Sequence, residues 1–95
     1  MPNDTAAPTV TVVLPGALVS LFPGSVGEVE LTASTVGHML DALDSRWPGM
    51  RDRLRDSTPQ IRRNINVFVE GRRAALETPL TPGGKVYVLT AMSGG

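Results

Sequence analysis

The residues of this chain with the clearest chemical possibilities are its last four, Met92-Ser93-Gly94-Gly95. They follow a run that reads as a strand, Lys85-Val86-Tyr87-Val88-Leu89-Thr90-Ala91. A strand fixes the base of such a tail, and two residues without a Cβ then carry the α-carboxylate away from the body. Glycine lets a backbone approach a partner closely and adopt conformations closed to other residues. That shape suits the threading of a carboxylate into a narrow active site. A terminus that simply frays is the other reading, because domain ends are often disordered and small. Extended, the segment from Ala91 to Gly95 spans at most ~17 Å, enough to bury the tail in a partner while the folded body stays outside.

Elsewhere the chemistry is sparse. There is no cysteine, which excludes disulfides, thiolate metal sites and a cysteine nucleophile. His38 is the only histidine. It falls on the polar side of a helical pattern, where Asp41 at i+3 is within reach of a surface contact. Without companion ligands at useful spacing, neither metal binding nor catalysis is expected of it. Asp41 and Asp44 read as a solvated helix face rather than an acid–base pair. Gly83-Gly84 precedes a strand and lacks a Lys-Ser/Thr partner, so it is not a phosphate loop. Without a nucleophile–base or metal constellation, a stand-alone catalyst is the least favoured class.

Charge adds a second pattern. The net charge is zero, which argues against a nucleic-acid binder. The first 45 residues nevertheless hold Asp4, Glu28, Glu30, Asp41 and Asp44 and no Lys or Arg, whereas all nine Lys and Arg lie beyond them. Arg62-Arg63 and Arg72-Arg73 read as solvated surface or as contacts to an acidic partner. Ninety-five residues with 41% hydrophobic content suit one globular domain with a modest core. No run approaches the ~20 apolar residues of a membrane span. The N-terminus lacks the basic start and apolar centre of a signal peptide, so a cytoplasmic protein is expected.

The elements that must position the tail follow from periodicity. Residues 1–8 read as a flexible lead, 9–91 as the folded domain and 92–95 as a flexible tail. Thr9 to Leu14 alternates and is β-branched, which predicts a strand ending at Pro15-Gly16. Residues 15–27 read as a long hairpin connection with some strand on either side, and Glu28 to Thr32 as the second strand. Ser34 is the expected helix N-cap. Val36, Met39, Leu40, Leu43 and Trp47 form one apolar stripe, stopped by Pro48-Gly49. Met50 to Asp56 suits a short second helix with Met50 and Leu54 on one side, followed by polar loop. Asn64 to Glu70 is a strand, Gly71 turns the chain, and Arg72 to Ala75 can pair briefly. Pro82-Gly83 suits a type II turn into the last strand. The pattern is α+β, a mixed sheet of four to five strands with one main helix on one face. The expected inner set is Val10, Val12, Leu14, Val29, Leu31, Val36, Leu40, Leu43, Trp47, Ile65, Val67, Val69, Val86 and Val88. Alternation then places Val13, Phe68, Tyr87 and Leu89 on the outer face, unless a one-residue slip exchanges the faces.

This order of elements, ending in Gly-Gly, resembles the β-grasp sulfur carriers of the MoaD/ThiS family, relatives of ubiquitin. The resemblance covers about residues 9–95. It rests on the helix boundaries Ser34-Thr35-Val36-Gly37 and Arg46-Trp47-Pro48-Gly49-Met50, on Asn64 to Gly71, and on Pro82-Gly83-Gly84-Lys85-Val86-Tyr87-Val88-Leu89. Two departures stand out. Gly84-Lys85 replaces the acidic residue that usually follows the turn glycine, and the usual proline of the tail is absent.

The resemblance implies a ubiquitin-like β-grasp fold and a reacting atom at the carbonyl carbon of Gly95. An activating enzyme would adenylate this carboxylate with Mg-ATP, and a sulfur donor would convert it to a thiocarboxylate. Gly94 would supply a slim approach, with Ser93 and Met92 threading behind it. No cofactor is expected to be bound by the chain itself. The implied partners are a ubiquitin-activating-type (MoeB/ThiF-like) adenylyltransferase, a sulfur donor such as a sulfurtransferase, and a sulfur-accepting synthase. The adenylyltransferase would dock on the face of Phe68, Tyr87, Leu89 and Val13. Molybdopterin, thiamine, cysteine and specialised metabolites are the alternative destinations, and the extended Met50–Arg63 segment looks more like carriers of the last two. A ubiquitin-like modifier joined to lysines through Gly95, or an interaction module with an idle tail, are the competing classes.

Overall fold

The computed structural model describes residues 7–58 and 60–90. Five strands form one sheet: β1 (Thr9–Val13), β2 (Glu28–Thr32), β3 (Ile65–Val69), β4 (Arg72–Arg73) and β5 (Lys85–Thr90). Their spatial order is β2-β1-β5-β3-β4. The β1–β5 pair is parallel and the others are antiparallel. The main helix, α2 (Val36–Arg46), and two short ones, α1 (Gly16–Val19) and α3 (Met50–Leu54), complete the α+β fold.

The core follows the two periodicities. β-branched alternation turns Val10, Val12, Val29, Leu31, Ile65, Val67, Val69, Val86 and Val88 to the covered side of the sheet. Val36, Met39, Leu40 and Leu43 of α2 are fully buried against them. Of the expected inner set only Trp47 departs: it is half-buried and packs at the core's margin. The reason is local. Trp47 is the C-cap of α2 with extended backbone, so its side chain has left the helical stripe. Met50 and Leu54 of α3, both fully buried, belong to the core instead.

Two further expectations are corrected. The connection after β1 is not a plain hairpin with flanking strand. Leu18 and Val19 both donate to the Pro15 carbonyl, closing the one turn of α1. Leu18 is thereby buried, and successive turns through Phe22 and Ser25 lead to β2. At the helix entry, Thr35 rather than Ser34 is the N-cap, its Oγ1 accepting from the His38 amide at 3.2 Å. Thr35 is held extended by a bridge to Pro79, so the helix starts one residue later. The Val36 and Gly37 amides, unpaired within a helix's first turn, donate to the carbonyls of Thr78 and Leu76. Gly37 permits that closeness, because a Cβ there would sit 3.3 Å from the Leu76 carbonyl oxygen.

The turn before β5 is the expected one. Gly84 donates to the Thr81 carbonyl at 3.0 Å, and Gly83 takes φ +75°, the left-handed backbone of a type II turn. Gly83 also donates to the Thr9 carbonyl and Gly84 accepts from Thr11, which ties the turn to β1. A Cβ at Gly84 would lie 3.0 Å from Thr81 Oγ1.

Candidate functional site

β5 is paired along both edges, with β1 through Val86 and Tyr87 and with β3 through Thr90. The last described residue, Thr90, faces Ile65, so the chain is held in register up to the point where residues 91–95 begin. Met92, Ser93, Gly94 and Gly95, and Ala91 at the end of the expected strand, lie outside the described residues, as do residues 1–6 of the lead.

The outer face is built by register. Glu28, Val13, Tyr87, Phe68 and Arg73 stand opposite one another across all five strands. Leu89 lies two residues beyond Tyr87, opposite Asn66. Tyr87 is 42% exposed and Leu89 44% exposed, while Val13 and Phe68 are half-buried. The four side chains that alternation assigns to this face are thus together on it. The patch has polarity that alternation alone does not disclose: the β2 edge brings Glu28 and Glu30, and the β4 edge brings Arg73.

The acidic pair of α2 has a structural task. Asp44 Oδ1 accepts from the Gly49 and Arg51 amides at 2.9 and 3.1 Å, satisfying donors at the start of α3. Arg51 donates to Asp41 Oδ1 at 2.8 Å and approaches Asp44 at 3.9 Å. The hydrogen bond that Arg51 donates to Asp41, then the charge of Asp44, raise the guanidinium above its ordinary pKa. Asp44 is therefore a cap rather than part of a solvated face. A short helix whose N-cap, Gly49, falls five residues after an aspartate was the available signal. His38 does not meet Asp41; its Nδ1 lies 2.7 Å from Ser34 Oγ. Among the described residues, no three His, Asp or Glu side chains converge as metal ligands, and no helix is long and apolar enough to cross a membrane.

The model of the ThiS family matches residues 12–95. The chain belongs to the ThiS family. A chain of the BexX/CysO complex of Amycolatopsis orientalis is 31% identical, superposes with a TM-score of 0.81, and aligns over 90% of this chain and 99% of its own. SAMP1 of Haloferax volcanii is 28% identical with a TM-score of 0.75, over 92% of this chain and 99% of its own. Mycobacterium tuberculosis CysO is 26% identical with a TM-score of 0.79, over 87% and 99%. No curated protein matches the chain. As a ThiS-family member with the ubiquitin-like β-grasp fold, the protein is a ubiquitin-like sulfur carrier.

Proposed function

We propose that this ThiS-family protein carries sulfur as a thiocarboxylate on Gly95. The observation that carries the reading is the family match extending through the terminal Gly94-Gly95. A carboxylate is a poor electrophile. The Gly95 carboxylate attacks the α-phosphorus of ATP and expels pyrophosphate, giving an acyl-adenylate. A sulfur donor then adds its sulfur to the acyl carbon and AMP leaves. When the donor is a sulfurtransferase persulfide, this gives an acyl disulfide; a thiolate of the donor or activating enzyme attacks the donor-side sulfur, forming a disulfide there and releasing the terminal thiocarboxylate. The chain is a co-substrate here: Mg-ATP belongs to a MoeB/ThiF-like adenylyltransferase, and the sulfur comes from a sulfurtransferase and goes to an accepting synthase.

The fold supports this division of labour. β5, locked between β1 and β3, is a fixed base for a short tail. The apolar row of Val13, Tyr87 and Phe68, with Leu89, is our docking face for the adenylyltransferase, since exposed apolar side chains grouped this way suit an interface. One of the similar structures is a CysO-containing complex with BexX, which agrees with a partner enzyme for this chain. For the destination of the sulfur, we favour cysteine or a specialised metabolite, on the extended 50–63 segment with its own helix α3.

A second reading is kept by SAMP1, a small archaeal modifier protein similar in fold and 28% identical: isopeptide conjugation through Gly95 shares the adenylation step. Intact mass after incubation with an adenylyltransferase of this class, ATP and a sulfur source separates the readings. A gain equal to replacing one oxygen by sulfur, absent when Gly95 is deleted, supports the carrier. Higher-mass adducts on lysines support the modifier. No change with an enzyme proven to be cognate would refute both.

A further inference from the structure

Beyond the apolar row of the outer face, four arginines of the 50–73 segment line a groove that the sulfur chemistry leaves unused and that meets that face at Arg73. One part, about 370 Å³, has Leu18, Leu21 and Ile65 among its walls and Arg53 and Arg62 beside them, and it reaches Thr90 at the base of the tail. A second part, about 200 Å³, shares Arg62 and Ile65 with the first and adds Ile61, Arg63 and Arg73. The two therefore adjoin at Arg62 and Ile65. The short β4 makes room: it pairs only with Phe68 and Val69, leaving the Ile65 end of β3 beside the 61–63 loop.

Three features give the groove a chemical preference. Arg53, Arg62, Arg63 and Arg73 are all exposed, and none forms an ion pair among the described residues. Arg62 is steadied by one bond, its Nε donating to the Asp52 carbonyl at 2.8 Å. Between the arginines lies an aliphatic floor, with Leu21 52% exposed. Guanidinium forks match carboxylates bidentately, and an exposed leucine beside them takes an apolar side chain. A single-stranded nucleic acid would want aromatic stacking surfaces, and none of the groove's lining side chains is aromatic.

We propose that this groove docks an acidic segment, carboxylates flanking a leucine-like side chain, of the enzyme that receives the tail. The segment would grip the body beside Thr90 while residues 91–95 enter the active site, so it aligns the tail rather than performing any chemistry. The identity of the partner rests on the carrier reading; the groove's preference for acidic peptide does not.

The test is amide NMR of the labelled full chain titrated with the blocked peptide acetyl-Glu-Asp-Leu-Leu-Glu-Asp-amide. Its comparators are the same peptide with Lys and Arg for the acids, and a uridine hexanucleotide. The expected result is saturable shifts at Leu18, Leu21, Asn64, Ile65 and Thr90 with the acidic peptide alone. Affinity should fall roughly tenfold or more in the Arg53→Glu/Arg62→Glu double variant. Leu21→Ser, at an exposed site with little consequence for folding, should weaken binding as well. Shifts that are absent, that centre on Tyr87 and Phe68, that survive charge reversal, or that appear instead with RNA would each overturn the proposal. Mass gain at Gly95 is read separately, so failure of the groove and failure of the carrier reading are distinguishable.

Discussion

Replacing Tyr87 and Leu89 together by threonine should impair activation of the tail while leaving the fold in place. Threonine retains the β-branched preference of a strand, so the change removes outward apolar surface with little effect on backbone propensity. Tyr87 is 42% exposed; on a side chain that offers about 200 Å², roughly 80 Å² remains available to a partner. At about 25 cal/mol per Å², covering that surface contributes about 2 kcal/mol, and Leu89 adds about 1 kcal/mol from its similar exposed share. A loss of about 3 kcal/mol corresponds to roughly a hundredfold weaker docking. The folded state loses the cross-strand contact of Tyr87 with Phe68, worth about 0.2–1 kcal/mol. The assay is the initial rate of mass gain at Gly95 against carrier concentration, beside a urea unfolding curve. KM should rise with kcat nearly constant, because docking precedes chemistry at the tail. Unchanged KM in a folded variant would refute the docking face. A collapse of stability would refute the division between inner and outer side chains.

Three other outcomes follow from packing and hydrogen bonding. Asp44→Ala orphans two amide donors at the start of α3 and should cost about 1–2 kcal/mol, seen as a Tm lowered by roughly 4–15 °C. Leu54→Ala empties a fully buried site and should cost about 2–5 kcal/mol in chemical unfolding; a loss below 1 kcal/mol, on the same scale, would mean that α3 is not part of the core. Gly83→Ala places a Cβ on a residue at φ +75° and should destabilise by about 1–2 kcal/mol, whereas an unchanged urea midpoint would show that the turn can relax to another type.

Local order was largely legible without coordinates. Strand alternation in Thr9–Val13, Glu28–Thr32, Ile65–Val69 and Lys85–Thr90, and the stripe of α2, are short-range periodicities, and burial follows them because each element must hide one side. The Pro82-Gly83 turn was legible because its backbone angles restrict which residues serve. What escaped depended on distant partners. Residues 15–27 read as a long hairpin connection with some strand on either side because Pro and Gly recur in them, and only the packing of Leu18 into the core selects a helical turn. Thr35 displaced Ser34 as the cap because Pro79 holds it extended. Asp44 looked like surface charge because its partners sit beyond a turn.

The sequence by itself determined how slender the Gly94-Gly95 segment is, since two residues without a Cβ need no tertiary context to be narrow. It also determined which side of each strand is apolar. Tertiary structure alone decided what stands next to what. The order β2-β1-β5-β3-β4 puts the tail-bearing strand at the centre, sets Val13, Tyr87 and Phe68 in one row between Glu28 and Arg73, and brings Arg53 and Arg62 to the base of the tail. Strand order and register arise from burying all the apolar faces at once, a condition on the whole chain that no local stretch of residues encodes.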